Sequence, residues 1–214
     1  MTFPTKKIIA LSLLFLMIGS NAVFAVEHKN ITSYRELRYQ NLFGQTNWWS
    51  CGPATVATIL NYYYHIPVTE LDVIELVVTL SDNDSFLTEG ISLLLIKQIF
   101  ESFGIEAVGY KIEPVSLLDY FTDGGLPLIL YFTKPKKHYV LCIGTIGASE
   151  LLVSDPSFGH LTININALEE LKGFEGIVML ATPPTEQDFY EIKDVQNKML
   201  ERYQQRHLQL RALR

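Results

Sequence analysis

Cys51 is the residue whose position in this chain most strongly suggests covalent chemistry. It opens a Cys-Gly-Pro-Ala run that leads into an apolar stretch, and Gln45 stands six residues before it. His138 and Asp155 follow far downstream and are seventeen residues apart. A thiol, an imidazole, a carboxylate and an amide are together the groups that a nucleophilic mechanism requires. We therefore predict that Cys51 is a nucleophile and that the other three residues assist it.

Each of the four groups has a definable role if they meet in one cleft. A helix that begins at Cys51 would favour the thiolate through its positive end and its unpaired N–H groups. His138 would form an ion pair with that thiolate and later protonate a leaving amine. Asp155 would fix the tautomer of the ring, and the amide of Gln45 would stabilise an oxyanion together with the backbone N–H of Cys51. Gly52 predicts room for a substrate backbone beside the sulfur.

Periodic apolar residues predict the elements that would position these groups. Helices are predicted over 51–64, 69–80, 90–103, 114–121, 167–171 and 186–214. Strands are predicted over 105–112, 126–132, 138–145, 150–154, 161–165 and 176–181. Helices followed by an antiparallel sheet indicate an α+β fold. The turn near Gly147 lies nine residues after His138 and eight before Asp155, so we expect these two residues to lie side by side.

The two cysteines leave a second interpretation open. In an exported protein, a disulfide between Cys51 and Cys142 is the default alternative. Cys142 lies in an apolar strand, however, and fits better as a buried small hydrophobic residue. His160 follows the Phe158-Gly159 turn and is predicted to be exposed. No histidine pair has the spacing of zinc ligands, so the sequence predicts neither a metal nor another cofactor.

The two ends of the chain have compositions of their own. Residues 1–25 combine a lysine pair, an apolar stretch and Val23-Phe24-Ala25, which is the pattern of a secretory signal peptide cut after Ala25. An uncleaved anchor is the alternative. The predicted organisation is a signal peptide (1–25), a lead-in (26–41), a catalytic domain (42–183) and an amphipathic helical extension (184–214).

Charge and hydropathy restrict location and partners. The signal peptide predicts a periplasmic or secreted protein, and no later stretch is apolar enough for a transmembrane domain in the mature chain. A net charge of −6 argues against a nucleic-acid partner. The basic C-terminal helix has three interpretations: it packs on the domain, it is a solvated tail, or it docks a secretion-system partner or an anionic membrane surface.

The quoted residues resemble one known family. Gln45, then Cys51-Gly52-Pro53-Ala54 after five residues, then His138-Tyr139-Val140 and Asp155-Pro156-Ser157-Phe158-Gly159 are similar to the motifs of bacteriocin-processing peptidases. These are papain-like cysteine proteases that cut leader peptides after a double glycine. The resemblance covers about residues 42–181. It implies a papain-like fold in which Cys51 is the nucleophile, His138 the base, Asp155 the orienting group and Gln45 the oxyanion donor.

Two departures limit this resemblance. Many relatives have aspartate at the position that Ser50 occupies in this chain. The best-known relatives are N-terminal domains of ABC transporters, whereas this sequence shows an export signal and neither a membrane domain nor a nucleotide-binding domain. The chain is therefore more similar to free-standing exported members. Some of these accompany functional-amyloid (Fap-type) secretion systems, and the Tyr34-Arg35-Glu36-Leu37-Arg38 lead-in resembles theirs.

Several functions are compatible with this sequence. The favoured one is an exported cysteine endopeptidase that cuts a secreted peptide or protein of the leader or amyloid-system type, with a Gly-rich cleavage site. The first alternative is a catalytically silent papain-like module that binds peptide as a chaperone in a secretion system. The others are a structural protein with a disulfide and an acyl transferase, in which an amine instead of water resolves the acyl-enzyme.

Overall fold

The computed structural model describes residues 33–81 and 83–212. The chain divides into two units, Met1–Ser33 and Tyr34–Arg214, and every element described below belongs to the second. The predicted signal peptide and residues 26–32 of the lead-in lie outside the described residues. Within 33–81 and 83–212, no helix combines the length and the apolar character that crossing a membrane requires.

Helices dominate the first half of this unit and strands the second. The helices are α1 (Tyr34–Arg38), α2 (Cys51–Thr58), which continues as a π-helix (Ile59–Tyr63), α3 (Glu70–Leu80), α4 (Phe86–Glu89), α5 (Leu93–Ser102), α6 (Ser116–Thr122), α7 (Ala167–Lys172) and α8 (Glu186–Ala212). The strands are β1 (Glu106–Lys111), β2 (Leu128–Phe132), β3 (His138–Ile146), β4 (Glu150–Asp155), β5 (Gly159–Asn164) and β6 (Phe174–Thr182).

The strands form one antiparallel sheet in the order β1-β6-β2-β3-β4-β5. The α+β prediction is confirmed, and each predicted strand is present with bounds that differ by at most two residues. The helices differ more. The helix predicted over 51–64 widens into a π-helix, in which the Tyr64 N–H donates to the Ile59 carbonyl at 3.1 Å. The helix predicted from Gly90 begins at Leu93, because the Ser92 hydroxyl caps it by accepting from the Leu95 N–H at 3.1 Å.

Helices cover both faces of the sheet. Successive residues of β3 alternate between two apolar clusters, because side chains of a strand point to opposite faces. Leu141 and Ile143 join the cluster that α2, α3 and α5 complete, whereas Val140 and Cys142 join the one that α6 and α7 complete. A strand buried on both sides explains why β3 is apolar throughout rather than alternating.

This alternation separates the two cysteines. Cys51 belongs to the first cluster and Cys142, which is fully buried, to the second. Both thiols are free. The disulfide alternative is therefore wrong, since the sheet lies between the two sulfur atoms, and Cys142 is a buried small hydrophobic residue as predicted.

The C-terminal extension packs on the domain. Ile192, Gln196 and Met199 of α8 are buried. The amide of Gln196 donates to the carbonyl of Ile143 in β3 and, at 3.0 Å, to that of Gly125. The first interpretation of this helix is thus supported by its contacts, while a secretion-system partner for its exposed face stays a prediction.

Candidate active site

Three of the four residues singled out above lie at the ends of neighbouring elements, and the fourth lies in a loop. Cys51 is the first residue of α2, His138 is the first of β3 and Asp155 is the last of β4. Gln45 precedes α2 in a loop. A helix N-terminus supplies unpaired N–H groups, and strand ends hold side chains in fixed directions. Their positions in the fold are therefore suited to a rigid site.

His138 and Asp155 contact each other directly. His138 Nε2 lies 2.9 Å from Asp155 Oδ1. The carboxylate is 2% exposed, and the same oxygen accepts from the backbone N–H groups of Ser157 at 2.8 Å and Phe158 at 3.3 Å. Asp155 is thereby held in one orientation by the loop that follows it, and it fixes the orientation of the imidazole.

The pairing of β3 with β4 differs from the expected one. Leu141 pairs with Ser154, so continuing this register places Asp155 opposite Val140 and diagonal to His138. His138 and Asp155 lie side by side as expected, with their side chains 2.9 Å apart, although the two residues are not directly paired, because the turn is centred on Ala148 and a register shift follows near Ile143. The two side chains still meet, since long side chains reach a diagonal neighbour.

The thiol of Cys51 is the second group that acts on the ring. It lies close enough to His138 to help raise the pKa of the imidazole. Because Nε2 lies against Asp155, Nδ1 is the ring nitrogen left for an interaction with Cys51. Burial lowers the pKa of His138, but the hydrogen bonds and charges of Asp155 and Cys51 outweigh burial and raise it to about 9. The imidazolium form is therefore favoured at neutral pH.

Cys51 lies on the wall of an open cleft of about 430 Å³. The residue itself is 5% exposed, so the sulfur can be reached only through this cleft. Trp48 and Trp49 line it together with Lys136, Lys137 and Tyr139. Trp49 is also packed in the core against Phe86, with ring centroids 5.2 Å apart. Trp49 therefore contributes both to the groove and to the core, whereas the exposed Trp48 contributes to the groove.

Gln45 is fixed beside the loop that follows Asp155. The Ser157 hydroxyl donates to Gln45 Oε1 at 2.6 Å, and the backbone N–H of Gln45 donates to the Pro156 carbonyl at 3.0 Å. Its amide nitrogen donates one hydrogen to the Asn47 carbonyl at 2.8 Å. An amide nitrogen carries two hydrogens. The second is the one that could reach a substrate oxygen.

Two further expectations were wrong. Gly52 does not leave room for a substrate, because a Cβ there would lie 2.6 Å from Cγ1 of Ile91. Glycine is required at this position so that Ile91 can pack on the start of α2. His160 is 5% exposed rather than at the surface, since β5 begins at Gly159 and turns the ring inward.

Three further residues support the site, and two of them, Tyr39 and Glu70, lie outside the sequence motifs. The Tyr39 hydroxyl donates to the Ser157 carbonyl at 2.8 Å, and Ser157 in turn holds Gln45. The carboxylate of Glu70 accepts a hydrogen bond from the Ser50 hydroxyl at 2.6 Å. Ser157 could have been suspected from its place beside Asp155. Nothing near Tyr39 or Glu70 points to the site, because both act across long separations in the chain.

Comparison with known proteins is consistent with this geometry. Residues 40–186 match the Peptidase C39 family, which is more than half of the chain. The chain belongs to the peptidase C39 family. It is thus classed with the cysteine peptidases, and the family predicted from the motifs is confirmed.

Relatives of this C39 chain include a protein named for an amyloid system. The "Probable functional amyloid protease FapD" of Pseudomonas aeruginosa is 34% identical over 151 residues, which make up 71% of this chain and 64% of that relative. The chain therefore spans less than two thirds of the length of this curated relative. This match agrees with the Fap-associated kind of peptidase that the sequence indicated.

Two solved C39-type structures show the same fold. The peptidase domain of Streptococcus ComA, a bi-functional ABC transporter, superposes with a TM-score of 0.54 at 22% identity and covers 66% of this chain and 97% of that domain. A double glycine motif protease from an AMS/PCAT transporter, in complex with the leader peptide, gives 0.54 at 24% identity and covers 66% and 90%. The papain-like α+β fold is thereby confirmed.

Proposed function

We propose that this chain is an exported cysteine endopeptidase that cuts a secreted peptide or protein. The observation that carries the proposal is the position of His138 between the Asp155 carboxylate and the Cys51 thiol, at the wall of an open cleft. A buried carboxylate, an imidazole and a thiol in this order form the arrangement in which a thiolate is generated and an imidazolium is retained.

The proposed reaction follows from these contacts. The Cys51 thiolate attacks the carbonyl carbon of the scissile bond, and the carbonyl oxygen becomes an oxyanion. The backbone N–H of Cys51 and the free amide hydrogen of Gln45 stabilise that charge. The tetrahedral intermediate collapses when His138 donates its Nδ1 proton to the leaving amine. A water molecule, deprotonated by His138, then hydrolyses the thioester and releases the second product and the thiol.

The cleft favours a substrate that is slim at the scissile bond. Cys51 is only 5% exposed and Tyr139 and Trp49 line the approach to it, so a bulky side chain next to the cleaved bond would be excluded. Glycine residues at the site of cleavage satisfy this restriction. A solved relative, a double glycine motif protease in complex with the leader peptide, supports the same specificity.

Two further depressions adjoin the Cys51 cleft. One, of about 590 Å³, shares Gly90 and Tyr139 with the cleft. Another, of about 790 Å³, shares Trp48 with it and reaches Tyr39 and Ser157. These depressions give an extended peptide that occupies the cleft further surface to contact, which supports an endopeptidase.

Export and an amyloid-type substrate complete the proposal. The signal-peptide pattern of residues 1–25 supports a periplasmic or secreted location, and the named amyloid-system relative supports a substrate from such a system. Sequencing the N-terminus of the protein recovered from the periplasm or medium tests export. The expected first residue is Val26, and recovery of an intact Met1 in the cytoplasm would contradict it.

The chemistry is tested with synthetic peptides that differ only at the cleavage site. The full protein is incubated with a peptide that contains Gly-Gly and with matched peptides that contain Ala-Ala or Val-Val. We expect cleavage after Gly-Gly, weaker cleavage after Ala-Ala and none after Val-Val. Cys51→Ala should abolish cleavage and leave the circular dichroism spectrum unchanged.

Alkylation of Cys51 separates an active site from a silent one. Iodoacetamide should label Cys51 at pH 7 faster than it labels free cysteine, since the thiolate is paired with an imidazolium. If iodoacetamide labels Cys51 only as fast as free cysteine and no peptide is cleaved, the protease proposal is contradicted. Peptide binding that survives Cys51→Ala, without turnover in the wild type, would instead support the silent peptide-binding module.

A further inference from the structure

Glu70 is a buried carboxylate that faces the loop before the nucleophile. It is the first residue of α3 and is 6% exposed. Its Oε1 accepts from the backbone N–H of Thr46 at 2.9 Å and from the Ser50 hydroxyl at 2.6 Å. A buried carboxylate is retained in a fold when such donors satisfy it. Both donors belong to the 45–50 loop, which joins Gln45 to Cys51.

The Ser50 hydroxyl links Glu70 by hydrogen bonds to the rest of the loop. It accepts from the Asn47 N–H at 3.0 Å, and its single proton has two acceptors within reach, Glu70 Oε1 at 2.6 Å and the Asn47 carbonyl at 3.0 Å, of which the carboxylate is the nearer. The Asn47 carbonyl in turn accepts from the amide nitrogen of Gln45 at 2.8 Å. The carboxylate is thus connected by hydrogen bonds to the side chain of the proposed oxyanion donor at one end of the loop.

The other end of the loop is the start of α2. Ser50 is the N-cap of this helix, and its backbone conformation sets the direction of the next N–H, that of Cys51. Ser50 is fully buried, so the loop cannot move without breaking its bond to Glu70. One carboxylate therefore fixes both groups that would stabilise an oxyanion.

We infer that Glu70 is a positioning residue that holds the oxyanion donors Gln45 and Cys51 N–H in place. The inference rests on the proposed function and adds a residue of α3 to its site. Glu70 acts through Thr46 and Ser50 and has no role in making the thiolate, because His138 and Asp155 do that from the sheet. Loss of Glu70 should accordingly weaken oxyanion stabilisation and leave the thiolate intact.

The test compares Glu70→Ala with Glu70→Gln and with Glu75→Ala. The last is an exposed glutamate of the same helix and serves as the matched control. For Glu70→Ala, kcat on the Gly-Gly peptide should fall about 100-fold with KM little changed, because a misplaced donor acts mainly in the transition state. Glu70→Gln keeps an acceptor oxygen for both donors and should stay within about tenfold of the wild type. Glu75→Ala should behave as wild type.

Two inhibitors of different chemistry separate positioning from general damage. Iodoacetamide alkylates the thiolate without forming an oxyanion, so its rate with Glu70→Ala should match that of the wild type. A peptide aldehyde forms a tetrahedral adduct, and its affinity should fall along with kcat. Equal losses in both assays would mean that the fold or the thiolate is damaged, which overturns the inference, as would wild-type kcat in Glu70→Ala.

A second variant keeps the inference testable if Glu70→Ala does not fold. It removes only the Ser50 hydroxyl, which links Glu70 to the rest of the loop. Ser50→Ala keeps the bond between Thr46 and Glu70 and should lower kcat and aldehyde affinity with the alkylation rate unchanged. An unchanged kcat in this variant contradicts the inference. If the wild type itself neither cuts peptide nor reacts rapidly with iodoacetamide, the proposed function fails rather than the role of Glu70.

Discussion

Two histidines beside the β3–β4 pair have opposite properties. His138 begins β3 and its pKa is raised to about 9, whereas His160 lies in β5 and its pKa is lowered to about 4. Both rings are largely buried, and burial disfavours the charged form of each. Burial alone therefore cannot account for the difference between the two pKa values.

The partners of the two rings explain it. His138 contacts the carboxylate of Asp155 and the thiol of Cys51, which stabilise a positive ring. His160 contacts the hydroxyl of Ser154 at 2.8 Å and the carbonyl of Gln40 at 2.7 Å. Neither partner is charged, and Arg202 and Arg206 of α8 oppose protonation further. One histidine is prepared for proton transfer, and the other remains a neutral hydrogen-bonding group.

The neutral histidine joins three parts of the fold. Its Nε2 donates to Gln40 in the segment after α1, and its Nδ1 accepts from Ser154, the residue before Asp155. Its ring packs edge-on against Tyr203 of α8, with centroids 5.6 Å apart. His160 therefore stabilises the support of the active site without contacting the proposed reacting groups.

The largest expected difference is in catalysis. His138→Gln should lower kcat for the Gly-Gly peptide by at least about 10³-fold, because the proposed general acid and base is lost. His160→Gln should leave kcat within a few-fold of the wild type and lower the melting temperature instead. Both are measured by peptide turnover and thermal unfolding. Comparable rate losses in the two variants would remove the functional distinction between the rings.

The partner of each ring gives the next test. Asp155→Asn removes the charge that raises the pKa of His138 and should lower kcat by about 10²- to 10⁴-fold. The loss of activity at alkaline pH, expected near pH 9 in the wild type, should move to lower pH. Ser154→Ala, its neighbour in β4, should leave that pH profile unchanged and cost about 1 kcal/mol of stability. If Asp155→Asn loses activity at the same alkaline pH as the wild type, the ion pair between Asp155 and His138 is contradicted.

The smallest expected effects concern stability as a function of pH. The raised pKa of His138 contributes stability that is complete below pH 6.5 and is lost as pH rises toward 9. The lowered pKa of His160 contributes stability that is complete above pH 6.5 and is lost as pH falls toward 4. Each contribution changes by up to about 1.4 kcal/mol per pH unit within its window.

Urea unfolding of the wild type and the two glutamine variants at several pH values measures these contributions. The stability difference between wild type and His138→Gln should shrink on the alkaline side. The difference between wild type and His160→Gln should shrink on the acidic side. Parallel curves for all three proteins would show that neither ring has the pKa assigned to it.

Candidate site residues such as Cys51 and His138 could be identified from the sequence because they lie where local sequence patterns predict the start of a helix or a strand. Cys51 stands at the start of a predicted apolar helix, and His138 at the start of a predicted apolar strand. Short-range sequence patterns predict both of these element starts. The same patterns failed where a distant side chain decides the outcome. Ile91 fills the space beside Gly52, and Ser154 and Gln40 hold the ring of His160 inside the fold.

The sequence by itself determined the element types, the α+β class and the identity of the four candidate residues, because these depend on periodicity and on neighbours along the chain. Only the tertiary structure decided what surrounds each ionisable group. The pKa of a buried histidine depends on the charge of whatever packs against it, and that partner comes from another element. For this reason His160 and Glu70, which looked ordinary in the sequence, are fixed parts of the core beside the site.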